Sequence, residues 1–441
     1  MRNVKICRAL IFGIFFAVIS STLGTAAEFQ PPGSASLLRS DRSPVTVIVA
    51  AFDTQDKGQA EYICSGINDD VVLQAAINSL PAQGGAVVLL EGMYFLSKAV
   101  QINKRNVTIQ GQDRGAQVTL ATGANSDVFQ VLADPNPLNS EDATFRNLII
   151  DGNKTSNPNV GACIGGIDIS NVNIEHCFIR NCRYGINFSY TTSGSNALDN
   201  TITDSWVTDN QVYGVRVNSD SALTNSFIGK NGKDMPTHPD SSNVYIDGWD
   251  SRVTNNHIWD GQVGILGHWA NDNLLLGNIV EEHQREGLLG RGRFNGWRII
   301  GNYFEDNSLA GVNLTDALTF SANPGETAQH NVIVANRFGK QDGTKPNHRY
   351  AISEGVGGDH NLVSQNITRN GYQLTPGIIT SGSQTLVVQE ESGNAAFVNA
   401  DVAIRSQGKG LVLRATNGNN CYRLTVDNAG VLKTTALPSC P

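Results

Sequence analysis

A short glycine-centred pattern recurs through the middle of the chain and constrains its fold more than any other feature. In each copy, Gly-Ile, Gly-Val or Gly-Leu opens a run of alternating side chains, as in Gly185-Ile186-Asn187-Phe188 and Gly214-Val215-Arg216-Val217. The copies start at Gly166, Gly185, Gly214, Asn243, Gly264, Gly287 and Gly311, about 19 to 29 residues apart. This spacing fits the coils of a β-solenoid with loop insertions better than any helical repeat. The sequence therefore predicts an all-β fold, a parallel β-helix whose function lies on a stacked outer face.

The first 27 residues have the composition of a secretory signal peptide. Arg2, Lys5 and Arg8 precede an apolar run, Ala9 to Ile19, and Thr25-Ala26-Ala27 provides the small residues of a cleavage site. The apolar run is too short for a membrane-spanning helix. We therefore expect a secreted or periplasmic protein; an uncleaved membrane anchor is the alternative.

The charge of the chain argues against nucleic acid as a partner. Removal of residues 1–27 removes three basic and no acidic residues, which takes the formal net charge from −8 to −11. Such a chain has little to attract a polyanionic backbone. No nucleic acid partner and no membrane attachment after cleavage are expected.

The cysteines fit an oxidising compartment. Cys7 leaves with the signal peptide, and six remain. We expect Cys421 to pair with Cys440. Cys163, Cys177 and Cys182 lie in neighbouring coils and either pair or pack, whereas Cys64 has no obvious partner. The spacings do not resemble a zinc site.

Composition divides the mature chain into a linker (28–44), a β-helix domain (45–386) and a small β module (387–441). Near the start of the domain, Asn68-Asp69-Asp70 caps a predicted helix from Val71 to Leu80. This helix would plug the open end of the solenoid, which otherwise exposes its apolar interior. We expect the disulfide-tied C-terminal module to cap the far end; carbohydrate binding and oligomerisation are its alternative roles.

The N-terminal part of the domain resembles the pectate lyase superfamily. The likeness is carried by Gln74-Ala75-Ala76-Ile77, Gly84-Gly85-Ala86-Val87-Val88, Glu91-Gly92-Met93-Tyr94 and Val107-Thr108-Ile109-Gln110-Gly111, followed by the glycine repeats. The resemblance covers about Val45 to Ile379 and implies a right-handed parallel β-helix. It also implies a protein that acts on or binds polysaccharides, since this superfamily includes lyases, hydrolases, epimerases, phage tailspikes and non-catalytic adhesins. Tailspike-like proteins are often trimers, so a trimer is one possible state.

One outward column carries groups that suit polysaccharide cleavage. If the residue after each repeat glycine points inward, alternation along the strand sends Asp247, His268 and Arg291 outward in three consecutive coils. In β-elimination, a base removes the proton alpha to a uronate carboxylate, and a cation offsets the charge that develops. His268 is the expected base, Arg291 the expected cation, and Asp247 the group that orients the imidazole. A surface salt-bridge ladder is the alternative reading of this column.

An insertion between two repeats supplies further candidates. The segment 230–242 carries His238 and Asp240, which can complete the site, with His238 as an alternative base. The expected substrate-binding residues are basic or aromatic side chains of the same coils, for charge attraction and for stacking on sugar rings. They are Arg216, Tyr245, Trp249, Trp269, Arg285 and Arg293. The stretch from His283 to Arg298, with Arg285, Arg291 and Arg293, is the one local concentration of positive charge in the sequence and is expected to attract an anionic polymer. The turn asparagines, among them Asn231, Asn256 and Asn278, are interpreted as structural.

The sequence leaves several reactions open. A polysaccharide lyase acting on an acidic polymer is the leading interpretation. A hydrolase using Asp247 with Asp240 or Asp250, a uronate epimerase and a non-catalytic glycan-binding protein are the alternatives. The Arg-x-Pro-x-x-Arg pattern of the calcium pectate lyases is missing, which argues against a pectate substrate. No cofactor is predicted, and calcium lacks the dense acidic column that it would need.

Overall fold

The chain winds into a stack of coils whose strands form three parallel sheets. In a computed structural model, the described residues are 45–133, 141–191, 197–314, 327–339, 350–355, 358–368, 378–379, 385–391, 394–398, 411–414, 421–426 and 429–437. The predicted signal peptide, the linker and Cys440 lie outside them. Within the three sheets, strands of successive coils pair in parallel. The exception is the last pair of sheet 1, Leu386–Glu391 with Asn394–Val398, which is antiparallel. The predicted parallel β-helix is confirmed.

The three sheets contain 15, 11 and 11 strands, and a complete coil contributes one strand to each of them. Sheet 1 contains, in spatial order, Tyr62–Ile63, Thr46–Ala50, Gly85–Leu89, Val107–Gly111, Thr144–Arg146, Asn173–Glu175, Thr201–Thr203, Ala222–Thr224, Arg252–Thr254, Leu274–Leu276, Arg298–Ile300, Val332–Val334, Leu362–Ser364, Leu386–Glu391 and Asn394–Val398. Sheet 2 contains Gly92–Leu96, Ala116–Leu120, Ile149–Asp151, Phe178–Arg180, Trp206–Thr208, Phe227–Gly229, His257–Trp259, Ile279–Glu281, Tyr303–Glu305, Arg337–Gly339 and Ile367–Thr368. Sheet 3 contains Val100–Ile102, Phe129–Val131, Ala162–Ile167, Tyr184–Ser189, Tyr213–Val217, Ser242–Ile246, Ile265–Asn271, Leu288–Asn295, Ala310–Asn313, Tyr350–Ser353 and Ile378–Ile379.

The interior is filled by columns of aliphatic side chains. Val215, Val244, Ile265, Leu288 and Val312 are in register along sheet 3, and all are buried. They are the residues after the repeat glycine or Asn243, so the expected inward direction is correct. Period-two alternation then places every second residue of these strands on the outer face.

The one α-helix of the described residues, Asp69–Ser79, closes the N-terminal end, in agreement with the predicted plug. Its apolar side, including Leu73 and Ile77, joins the main core. The capping differs from the prediction, because Asn68 makes no side-chain cap bond. Instead, Asp69 accepts hydrogen bonds from the Gly66 and Phe95 amides at 3.0 and 2.9 Å, which ties the helix to sheet 2.

Buried asparagines stack along the corners of the solenoid. Asn256, Asn278, Asn302, Asn336 and Asn366 form one ladder, in which each amide oxygen accepts the backbone N–H of the ladder residue one coil before it. The four bond lengths are 2.9 to 3.0 Å. These bonds satisfy polar groups that the tight turns would otherwise bury without a partner. The structural role predicted for the asparagines is confirmed for this ladder.

Covalent links and a separate sheet complete the described structure. Cys163 and Cys182 form a disulfide, whereas Cys64 and Cys177 are free and buried. Cys421 is disulfide-bonded, and its predicted pairing with Cys440 concerns a residue outside the described part. A three-stranded antiparallel sheet, Leu411–Arg414, Cys421–Val426 and Leu432–Ala436, follows the solenoid along the chain. Among the described residues, no helix is long and apolar enough to cross a membrane.

Candidate active site

The outer face of sheet 3 brings the predicted column together. His268 and Arg291 are register partners, and Asp247 follows Ile246, the partner of the residue before His268. The three side chains therefore occupy neighbouring coils, as the alternation predicted. Strand spacing sets the distance between neighbouring backbones at about 4.8 Å.

A bulge bends the strands immediately beyond this column. The regular pairing between strands Ile265–Asn271 and Leu288–Asn295 is lost after His268 and resumes at Ala270, which lies opposite Phe294. Trp269 and Gly292 both have positive φ there, 55° and 72°. A side chain at position 292 would meet the Trp269 ring, because a Cβ would lie 2.7 Å from its Nε1. Bulges re-aim side chains next to functional sites, and here the bulge directs Trp269 to solvent with half of its surface exposed.

His268 is held by a tyrosine rather than by the expected carboxylate. Nδ1 of His268 lies 2.9 Å from the Tyr245 hydroxyl, on the preceding coil and one column to the side. The hydrogen bonds described for Asp247 go to other groups, so the hydrogen bond to the imidazole comes from Tyr245 instead. Burial, and next the charge of Arg291, lowers the pKa of His268 below its ordinary value. The imidazole is therefore neutral at neutral pH, which a base requires.

Asp247 and Arg216 form a buried ion pair under the site. Each of these side chains is at most 15% exposed, and Asn218 Nδ2 also donates to Asp247, at 3.2 Å. Burial lowers the pKa of Arg216, but the neighbouring Asp247 outweighs it and raises the pKa above its ordinary value. The guanidinium also lies over the rings of Tyr190 and Tyr245, 5.1 and 5.7 Å from their centroids. Arg216, an expected substrate-binding residue, has its described side-chain contacts with Asp247, Asn187 and these two rings, and its role in binding stays a prediction.

The insertion at 230–242 closes one side of the site. Arg291 Nη1 donates to the Pro239 carbonyl at 2.8 Å and lies 3.8 Å from the Asp240 carboxylate. His238 accepts the Asp240 backbone N–H through Nδ1 at 3.2 Å, so its described polar contact lies within the insertion. Two ion pairs anchor the same segment, Asp234 with Lys154 and Lys233 with Asp260. The predicted proximity of Asp240 to the column is correct, whereas His238 stays an untested alternative base.

The aromatic candidates divide into exposed and buried rings. Trp249 and Trp269 are 57% and 50% exposed, and Arg293 lies 5.4 Å from the centre of the Trp269 ring. Trp269 with Arg293 therefore forms an exposed surface beside the bulge. Tyr245 is only 7% exposed and stacks on Tyr213 with ring centres 5.4 Å apart, so its ring is covered rather than open for stacking on a sugar.

The expected concentration of positive charge around Arg285 is not assembled. Arg285 precedes the strand Leu288–Asn295 that carries Arg291, and it pairs with the buried Glu286 at 3.2 Å. Arg298, counted in the same cluster, belongs to sheet 1. His283 is fully buried between asparagines, which lowers its pKa to about 4. The stretch was misread because residues close in sequence belong to different walls of a coil.

Two polar residues of this site were missed by sequence reasoning. Asn187 Oδ1 accepts hydrogen bonds from the Tyr213 hydroxyl at 2.8 Å and from Arg216 at 3.4 Å. Tyr190 bonds to Asp247, and burial is the main cause of its raised pKa. Asn187 was detectable in principle, since it lies one coil before Arg216 in the same outward column. Tyr190 follows the end of its strand, where alternation no longer predicts direction.

Comparison with known families identifies the chain. Residues 101–333, just over half of its length, match the family model described as "Periplasmic copper-binding protein (NosD)". The chain belongs to the NosD family. No curated protein sequence matches this NosD-family chain.

Solved structures with the same fold are distant in sequence. The Azotobacter vinelandii mannuronan C-5 epimerase AlgE4 A-module is 17% identical, with a TM-score of 0.50, and the match covers 73% of this chain and 96% of that one. The pre-mature gene product 12 of bacteriophage phi29 is 15% identical, with a TM-score of 0.51, over 74% of this chain and 50% of that one. These likenesses confirm the resemblance to pectin-lyase-like β-helices at the level of fold.

The copper in the family description finds no fitting ligand set in the described part of this NosD-family chain. No three His, Cys, Asp or Glu side chains there converge as metal ligands would. Copper favours thiolate, thioether and imidazole ligands. Burial raises the pKa of both Cys64 and Cys177 to about 12, which keeps these thiols protonated.

Proposed function

We propose that this NosD-family chain is a secreted or periplasmic polysaccharide lyase that cleaves a uronate-containing polymer by β-elimination. The observation that carries the proposal is the hydrogen bond between Tyr245 and His268 beside Arg291. The neutral imidazole of His268 and the guanidinium of Arg291 lie on neighbouring strands of one outer face. The periplasmic location in the family description supports the compartment inferred from the signal peptide.

The tautomer of His268 defines its role in this reaction. If Nδ1–H donates to the Tyr245 oxygen, Nε2 carries the lone pair and can accept the proton alpha to the uronate carboxylate. The C–H bond breaks, a carbon–carbon double bond forms, and the glycosidic oxygen leaves with the electron pair of the broken C–O bond. Arg291 offsets the charge that builds on the carboxylate. Trp269 and Arg293 provide an adjacent surface for a neighbouring sugar.

Hydrolysis is less well supported by the same geometry. A glycoside hydrolase needs two available carboxyl groups, one as acid and one as base or nucleophile. Asp247 is buried in its pair with Arg216, and Asp240 lies against Arg291. An epimerase begins with the same proton removal as a lyase, so only product analysis separates those two activities.

The test is an assay of the mature chain on uronate polymers, beginning with mannuronan, and on neutral polysaccharides. Ultraviolet absorbance reports unsaturated ends, reducing sugar reports any cleavage, and proton NMR reports epimerised residues. We expect unsaturated ends from the wild type, and a loss of at least about 100-fold in His268→Ala and Tyr245→Phe. Tyr184→Phe is the matched control, because Tyr184 lies in the same aromatic row without contacting His268. Cleavage without unsaturation, or full activity in His268→Ala, would refute the proposal.

A further inference from the structure

The insertion beside the candidate active site has the form of an Ω-loop, a compact surface segment whose ends lie close together. A Cβ on Gly232 would lie 2.8 Å from the Ser242 amide nitrogen, so the two ends meet. Both ends are fixed, because the Gly232 N–H donates to the Asn210 carbonyl and the Ser242 N–H to the Val212 carbonyl, each at 3.0 Å. Within the described part of the chain, the backbone hydrogen bonds donated by residues 233–241 stay inside the segment. We call residues 233–241 the Ω-loop.

Side-chain contacts attach the Ω-loop to the solenoid. Asp234 accepts a hydrogen bond from Lys154 Nζ at 2.6 Å, and Lys233 Nζ donates to Asp260 at 2.8 Å. Both ion pairs are partly open to solvent, and such pairs contribute little to stability. Met235 adds an apolar contact with the buried aromatic and leucine side chains on the outer face of sheet 3. Movement of the Ω-loop about its fixed ends therefore breaks weak contacts and leaves the paired strands of the coils intact.

The tip of the Ω-loop covers the guanidinium of Arg291. Arg291 Nη1 donates to the Pro239 carbonyl at 2.8 Å and lies 3.8 Å from Asp240 Oδ1, and only 14% of the Arg291 side chain is exposed. A carboxylate is also the group through which a uronate would meet a guanidinium. The charge of Asp240 reaches His268 as well, where it partly offsets the lowering of the pKa by burial and by Arg291. A substrate carboxylate entering this closed arrangement would therefore meet a like charge beside a donor that is already engaged.

We propose that the Ω-loop inhibits the candidate active site in the resting protein, with the Pro239 carbonyl and the Asp240 carboxylate standing where a substrate carboxylate binds Arg291. An anionic polysaccharide displaces the loop when it binds. This inference rests on the proposed function, in which Arg291 holds the uronate carboxylate. Because the polymer gains the guanidinium only in the open state, its apparent affinity is reduced by the fraction of molecules that are open. A neutral polysaccharide has no carboxylate to replace Asp240 and does not shift the loop.

The first experiment measures binding without turnover. Isothermal titration calorimetry follows the binding of an oligomannuronate to the His268→Ala chain. Adding Asp240→Ala is expected to tighten binding by about fivefold or more, because fewer molecules are closed. Asp272→Asn is the matched control, since it removes the same charge from an exposed position just past strand Ile265–Asn271 and outside the Ω-loop. Its effect on affinity should stay below about twofold, because exposed charges are screened. Equal or weaker binding with Asp240→Ala would overturn the inference.

A second variant and a second measurement report the movement itself. Asp234→Asn breaks the ion pair with Lys154, leaves Asp240 in place and should also tighten binding, by a smaller factor. Hydrogen exchange read by mass spectrometry should show more deuterium uptake in residues 233–241 when oligomannuronate saturates the His268→Ala chain, while strand Arg252–Thr254 stays protected. A fall in uptake would show that the Ω-loop closes onto the polymer, and would overturn the inference.

The loop inference and the lyase proposal fail in different ways. Tighter binding with Asp240→Ala, together with a wild type that yields no unsaturated ends, supports the inhibitory loop and refutes the lyase. Unsaturated ends from the wild type, with unchanged affinity in Asp240→Ala and Asp234→Asn, refute the inhibitory loop alone. No binding of any uronate polymer by any of these chains refutes the carboxylate site on Arg291 and with it both proposals.

Discussion

His283 makes the stability of the solenoid depend on pH in a way that one substitution should remove. The residue replaces an asparagine within a buried ladder. Nε2 lies 2.9 Å from Asn243 Nδ2, and Nδ1 lies 2.7 Å from Asn307 Oδ1. Because the amide nitrogen donates and the amide oxygen accepts, Nδ1 carries the proton and Nε2 the lone pair. A second proton on Nε2 would point at the Asn243 amide hydrogens, so this site tolerates only the neutral ring.

The size of the effect follows from linkage. Burial lowers the pKa of His283 from 6.5 to about 4 in the folded chain. Between these values the unfolded chain binds a proton that the folded chain does not, so stability rises with pH across this window and is lost as pH falls. The loss between pH 7.5 and pH 5 is about 2 kcal/mol. With an unfolding entropy on the order of 2 cal/mol/K per residue, this lowers the melting temperature by about 2 °C.

The assay compares melting temperatures of wild type and His283→Asn from pH 7.5 to pH 5. An asparagine there would continue the donor and acceptor pattern that Asn231 and Asn243 already show. The variant should lose about 2 °C less than the wild type on acidification, since carboxylate titration is common to both chains. His176→Asn, at an exposed position, is the control variant and should lose about as much melting temperature on acidification as the wild type. A constant difference between wild type and His283→Asn across this range would refute the reasoning.

Three further predictions concern the site and the disulfide. If the lyase proposal is correct, Asp240→Asn should move the acid limb of the kcat/KM pH profile to lower pH, because Asp240 raises the pKa of His268; an upward shift would contradict this electrostatic account. Treatment with EDTA should leave activity unchanged, since Arg291 serves as the cation; recovery of lost activity on adding calcium would disprove that role. Removing the Cys163–Cys182 bond, which links residues 19 apart, should lower the free energy of unfolding by about 3 kcal/mol in urea titrations.

The sequence predicted those parts of the site that depend on alternation. From Gly264 to His268, side chains alternate between the interior and the outer face. Fixing one inward residue in each repeat was therefore enough to place Asp247, His268 and Arg291 in a single outward column. It could not predict the Tyr245–His268 bond, because this contact is diagonal, one coil on and two residues along. Side chains of this length reach diagonal neighbours, but which of them meet depends on packing. Tyr245 stacks on Tyr213, which leaves its hydroxyl directed to the next coil.

The errors at His283 and Arg285 have a common physical cause. Both were counted as surface charge because they are basic and close to Arg291 in the sequence. A coil turns from sheet 2 to sheet 3 within a few residues, so His283 falls in a ladder position and Arg285 beside a buried carboxylate. The asparagine that would mark the ladder is replaced there by histidine. Asn307, which holds the same ladder position one coil later, could have shown from the sequence that position 283 belongs to the ladder.

The asparagine ladders also decide where the chain can change length. Every rung fixes one backbone position of a coil relative to the next, so a residue gained or lost inside a strand would displace the amide from its partner and leave a buried donor unsatisfied. A loop between rungs is free of this constraint, and the insertion at 230–242 grows from such a place, between Asn231 and Asn243. Loops beside the candidate active site can therefore change in length while the spacing of its groups on the outer face of sheet 3 is preserved.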